Sequence, residues 1–245
     1  MEIEFYDKEE HDFFLDEFKE YSREPTIEEK EFFRETLEEL VGEISRITES
    51  STDFKLYFAM TEEENLQDDL PINRFVHGYS FANWMEGFDR DVIMMRATRD
   101  RGNWKDCLTN MLAHEMAHQE YYDHCKNPPV TNLENILIEG HAMNRAEQVA
   151  LEMNLEWRPH YRKEKPPEIN SEAIIEILDE KRTYGPEDIF KNGQGPCENA
   201  EGYQIAYLVI KDLTENTTLT LEDVASEDAE EIRKRVEGSL RKLLA

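Results

Sequence analysis

Asn110-Met-Leu-Ala-His114-Glu115-Met-Ala-His118-Gln-Glu120 contains the string HExxH, which holds two imidazoles and a carboxylate at spacings suited to chemistry. In a helix, residues four apart lie one above the other. His114 and His118 can therefore turn towards one cation, with Glu115 about 100° round the axis beside it. Zinc suits such ligands: two neutral imidazole nitrogens at roughly 2.0–2.1 Å, a third protein donor, and an open position for water. The metal lowers the pKa of that water towards about 7, and a neighbouring carboxylate can take its proton as the oxygen attacks a carbonyl. This is amide hydrolysis without a covalent intermediate.

A chain rich in Glu can show HExxH by chance, so its surroundings decide. Trp104-Lys-Asp-Cys-Leu108-Thr-Asn-Met111-Leu112-Ala places apolar residues at helical spacing, and Asn103 after Gly102 fits an N-cap. Two histidines on such an apolar face would be costly without a partner. A helix over about 104–124 follows, stopped by Lys126-Asn-Pro-Pro129.

Other elements must position it. Residues 8–22 set Phe13, Phe14, Phe18 and Tyr21 among acidic residues, an amphipathic helix ended by Pro25. Thr26-Ile-Glu-Glu29 reads as a capping box for a second helix that buries Phe33, Leu37, Leu40, Val41, Ile44 and Ile47. The period then changes, and strands are expected at 54–60, 75–81 and 91–96. The last two form an antiparallel pair just before the metal helix, and a sheet edge there can hold an extended peptide. His77 lies on this pair and reads as structural.

A long helix from about Leu133 to Asn154 carries Ile136, Glu139, Gly140, Met143, Ala146 and Ala150 along one face and its edge. Gly140 costs such a helix about 1 kcal/mol against Ala, which suggests a close approach to another element. A connector spans 157–170, helix is expected from Ser171 to Tyr184, and 185–196 is a Gly- and Pro-rich loop able to cover a site. Glu201-Gly-Tyr203-Gln-Ile-Ala-Tyr207 opens an apolar helix, and Thr220 caps a charged C-terminal helical region.

With 245 residues, the chain can bury a sizeable core as a single domain. Its parts are N-terminal helices (1–50), sheet plus metal-binding helices (51–156) and a C-terminal helical part (157–245). Three cysteines without a CxxC pair argue against a disulfide framework, and Cys107, two turns from His114, reads as core. The start lacks the marks of a secretory signal, and no run approaches the roughly 20 apolar residues of a membrane span. A soluble, cytoplasmic protein is expected. The net charge of −28 excludes a general nucleic-acid binder. It suggests salt adaptation, because at molar salt the Debye length falls to about 3 Å and self-repulsion is screened. Attraction to basic partners and plain solvated helix faces are the other readings.

Candidates compete for the third ligand. His124 follows His118 at the spacing of HExxHxxGxxH, but Tyr121 stands where that pattern needs Gly to turn the chain. If the helix continues, His124 points about 240° away from His118. Glu139, 21 residues after His118 on the next helix, can face the histidine pair. Two His and one Glu form a catalytic zinc set. A distal Asp or Glu is the remaining choice.

These motifs, His114-Glu-Met-Ala-His118, Leu-Ile-Glu139-Gly-His-Ala and Glu201-Gly-Tyr203-Gln-Ile-Ala-Tyr207, resemble those of a family of predicted zinc-dependent proteases of bacteria and archaea. They are more distantly similar to the gluzincin metallopeptidases. The resemblance covers about 54–214. It implies a zincin-like fold, one zinc held by His114, His118 and Glu139, Glu115 as base, and a tyrosine as oxyanion donor. Met143 stands where some gluzincins carry an Asp, and His141 stands where the family tends to be apolar. Tyr203 and Tyr207 are the candidate donors, with aromatic packing as the alternative for both.

The expected class is α+β and predominantly helical, with a small antiparallel sheet beside the HExxH helix. The expected activity is a zinc metallopeptidase acting on a peptide or protein through a zinc-activated water. The alternative is an inactive or regulatory protein of the same fold that binds a basic partner through its acidic surface.

Overall fold

Residues of high strand propensity gather in the first half of the chain and build one five-stranded sheet. The computed structural model describes residues 1–10, 16–61, 76–82, 85, 90–99, 103–124, 131–156, 169–181, 201–217 and 219–244. They fall into two units, Met1–Glu120 with Arg145–His160 and Tyr121–Asn144 with Tyr161–Ala245.

In the first unit, β1 (Glu2–Phe5), α1 (Asp16–Glu20), β2 (Ser22–Arg23), α2 (Ile27–Thr48), β3 (Lys55–Thr61), β4 (His77–Phe81) and β5 (Val92–Ala97) precede α3 (Trp104–His124). The sheet order is β1-β3-β5-β4, with β2 paired to β3. Strands β3 and β5 are buried along nearly their whole length, as continuous apolar runs covered on both faces should be. Alternation divides them. Leu56, Phe58, Met60, Ile93 and Met95 pack with Phe33, Leu37 and Leu40 of α2 and with Leu108 and Leu112 of α3. Tyr57, Ala59, Val92 and Met94 meet Tyr6 and Phe18 on the other face.

The expected antiparallel sheet is corrected to a mixed one. β4 and β5 are antiparallel, His77 opposite Arg96, as their short connection requires. β5, however, lies between β4 and β3 and runs parallel to β3, as β1 does on its other side. The helix expected over 8–22 is corrected at both ends: 8–10 form a turn and Ser22–Arg23 joins the sheet, α1 covers Asp16–Glu20 among the described residues, and 11–15 lie outside them.

α2 begins at the expected capping box. Thr26 Oγ1 accepts from the Glu29 N–H at 3.3 Å, and the Glu29 carboxylate accepts from the Thr26 N–H at 2.8 Å. Arg23 adds a two-pronged bond to Glu29 at 2.7 and 2.9 Å.

The second unit is helical among its described residues. It takes the first part of α4 (Asn132–Glu152), then α5 (Ser171–Glu176), α6 (Glu201–Asn216), α7 (Leu221–Ser226) and α8 (Ala229–Leu243). Ile136, Leu137, Ile174, Leu178, Val209, Ile210, Val236 and Leu240 share one core. The C-terminal helical region expected after Thr220 is two helices, because Asp228 caps a fresh start for α8. The loop read at 185–196 lies outside the described residues. Among the described residues, no helix is long and apolar enough to cross a membrane.

Gly140 has the close neighbour its cost suggested. A Cβ there would stand 2.3 Å from the Ala206 carbonyl oxygen on α6, whereas one at Gly42 on α2 would meet nothing within 4 Å. Gly140→Ala should therefore destabilise by about 1–3 kcal/mol, since backbone must shift. Gly42→Ala should stabilise by up to about 1 kcal/mol through helix propensity. Urea denaturation measures both, and equal effects would remove the close approach as the reason for Gly140.

Arg23, chiefly through its hydrogen bonds, holds the Glu29 carboxyl down from 4.5 to about 2 against the opposing effect of burial, with help from Thr26. A depressed folded-state pKa contributes stability that is present above the unfolded value and lost as pH falls towards the folded one. Glu29→Gln should cost on the order of 2 kcal/mol at pH 7. It should also flatten the loss of stability between pH 4.5 and about 2, measured by urea denaturation across pH.

Candidate metal centre

α3 opens where the Asn103 carbonyl accepts from the Cys107 N–H at 3.1 Å. From Cys107 to Gln119 every residue is buried, so the helix is enclosed on all sides while carrying Asn110, His114, Glu115, His118 and Gln119. Such groups need partners. Asn110 Nδ2 donates to the carbonyls of Asp106 (2.8 Å) and Glu156 (3.2 Å). Gln119 Nε2 lies 2.5 Å from Ser80 Oγ and 3.1 and 3.2 Å from the carbonyls of Phe81 and Val92. Ser80 Oγ in turn donates to the Glu115 carbonyl at 3.0 Å. These bonds fasten α3 to β4 and β5.

The rings of His114 and His118 lie 4.6 Å apart between centroids at 85°. One ligand atom from each histidine and one from Glu139 all lie within 4.8 Å of one another, and all three residues are buried. A tetrahedral zinc with bonds of about 2.1 Å would set its donors roughly 3.4 Å apart, so a small closure of these side chains suffices. Two imidazoles, one carboxylate and burial fit zinc, and three protein donors leave a fourth position open. Glu115 follows His114 on the same helix and is 4 % exposed.

α4, which carries Glu139, starts at a reciprocal cap absent from the sequence reading. Thr131 Oγ1 accepts from the Glu134 N–H at 3.2 Å, and the Glu134 carboxylate accepts from the Thr131 N–H at 2.8 Å. α3 continues through Tyr121 and Tyr122 to His124, which is exposed and outside the buried group. Cys107 belongs to the core, as expected. The His77 ring stands 4.7 Å from that of Tyr79 on β4. Tyr203 is buried on α6, and the Tyr207 hydroxyl accepts from Lys211 Nζ at 2.6 Å. Met143 packs in the helical core, and fully buried His141 sets its ring 5.6 Å from Tyr121.

Sequence reasoning passed over Ser80, Gln119 and a half-buried ion pair. The Arg145 guanidinium reaches Glu120 through Nε, 3.1 Å from both carboxylate oxygens, and through Nη2 at 2.5 Å. Its Nη1 reaches Gln148 at 2.9 Å. The pair locks α4 to α3 two residues beyond His118. Nothing local in the sequence signals it, because its halves stand 25 residues apart.

Residues 37–234 match the family described as Predicted Zn-dependent protease (DUF2268), a wider span than the motifs alone covered. No curated protein and no solved structure matches the chain significantly.

Arg145→Met should cost about 1–3 kcal/mol, since it takes the guanidinium from the half-buried Glu120 carboxylate. Adding Glu120→Gln should restore part of that loss. Urea denaturation of the metal-free single and double variants measures the coupling, and strict additivity would show that the pair does not act as a unit.

Proposed function

We propose that this chain, which belongs to the family of predicted Zn-dependent proteases, is a zinc metallopeptidase hydrolysing peptide bonds in a peptide or protein. The observation that supports this most is the buried grouping of His114, His118 and Glu139, with Glu115 next to His114 on the same helix. A zinc ion held there supplies Lewis-acid polarisation of a carbonyl and acidification of water.

The remaining work falls to the chain. His114 and His118 present neutral imidazole nitrogens, and the Glu139 carboxylate offsets part of the cation's charge. Glu115 takes a proton from the attacking water and passes it to the leaving amine, as a carboxylate held beside the reacting atoms can. Burial keeps bulk water from weakening these electrostatic interactions. Among the described residues β4 ends the sheet path, and an extended substrate can add along this edge by main-chain pairing. Tyr203 and Tyr207 are the candidates for a hydrogen bond to the oxyanion.

Purified wild-type protein should hold about one zinc per chain, the stoichiometry of a catalytic site. Glu139→Ala should lose it and His124→Ala keep it. Glu115→Gln should keep zinc and lose roughly 10²–10⁴-fold in turnover of a quenched-fluorescent peptide chosen from a library by wild-type cleavage. Elemental analysis and steady-state kinetics read these outcomes. Normal turnover in Glu115→Gln would sink the base assignment, and zinc loss confined to His124→Ala would replace the third ligand.

A further inference from the structure

Where β4 and its flanks approach α3, the side chains are small. Val76, Gly78, Ser80 and Ala82 alternate with His77, Tyr79 and Phe81, and the two-residue period of a strand puts the two sets on opposite faces. Val76 shares the core with Leu112 and Met116 of α3, and Ser80 bonds the Glu115 carbonyl. Gly78 lies between them. A Cβ built on it would stand 2.5 Å from Glu115 Cγ, 2.7 Å from Oε1 and 2.9 Å from Cδ. Carbon atoms in contact sit about 3.5–4.0 Å apart, so a side chain at 78 and Glu115 in its present position exclude one another. The φ of Gly78 lies outside the left-handed region. Its backbone does not require glycine; the contact does.

We propose that Gly78 is a positioning residue for Glu115: the absent side chain is the recess that seats the carboxylate of this residue, which directly follows His114 on α3. This rests on reading Glu115 as the general base. The atoms a methyl group would strike, Cγ, Cδ and Oε1, belong to a flexible side chain rather than to backbone. An alanine is therefore accommodated by swinging Glu115 to another rotamer, with the sheet and α3 left in place. The consequence is a separation of properties. Stability and metal binding persist, while the base leaves its station, and a misplacement of about 1 Å can cost 10²-fold in rate.

The test compares wild type, Gly78→Ala and the remote Gly42→Ala. Zinc content, thermal midpoint, and kcat and KM on the library-selected peptide are measured, together with a crystal structure of Gly78→Ala. Gly78→Ala should retain zinc and its thermal midpoint, lose about 10²-fold or more in kcat with KM unchanged, and show Glu115 in a new rotamer. Gly42→Ala should match wild type in kinetics. Wild-type kcat in Gly78→Ala, or a structure in which β4 has moved and Glu115 has not, would overturn the proposal and leave the peptidase reading intact. A wild-type protein that holds zinc and cleaves no peptide would overturn that reading instead, and the Glu115 rotamer in Gly78→Ala still decides whether Gly78 seats this side chain.

Discussion

A helix buried on every side has nowhere to hide a polar group, and α3 carries six such side chains between Cys107 and Gln119, Thr109 among them. Each costs several kcal/mol to desolvate unless something inside the protein answers it. That demand organises what surrounds the helix. Asn110 holds the carbonyl of Glu156, and Gln119 gathers Ser80 with the carbonyls of two strands. The two histidines face the carboxylate of Glu139. An apolar wall would have packed α3 equally well. The polar groups instead select which strand and which residue stand opposite each turn.

The elements that could be read in the sequence are those whose cause is local. HExxH at helical spacing, the Thr26–Glu29 box and the apolar stripe of α2 each state their structure within a few residues, and each is found in place. The order of strands is not local. β5 enters between β3 and β4 because its residues are apolar on both faces and gain most from a central place, whereas β4 is half-buried throughout and suits an edge. The antiparallel pairing of β4 with β5 followed from their adjacency in the chain; the parallel places of β1 and β5 on either side of β3 did not.

Glycines show the same division. In a helix a glycine is costly and conspicuous, and Gly140 announced a close approach that α6 supplies through the Ala206 carbonyl. In a short strand, Gly78 carried no comparable signal, since strands tolerate glycine at edges and bends for many reasons. Its partner, Glu115, lies 37 residues on, and only the folded chain brings the two together.

Acidic residues pose the sharpest problem of legibility, because 56 of them make the residue type almost uninformative. Burial restores the information. Most carboxylates here can be satisfied by water, but an enclosed one must be matched by charge or hydrogen bonds at short range. Glu29 is matched by Arg23 and Glu120 by Arg145, and both pairs fasten one element to another. Glu139 is enclosed too, and His114 and His118 each bring a ligand atom within 4.8 Å of its carboxylate. Two imidazoles and a carboxylate at that range form a group that could hold a metal ion. The same reasoning sets His124 aside. α3 does not turn after His118, so that ring ends in solvent, where its burial cost is nil and no metal is needed to explain it.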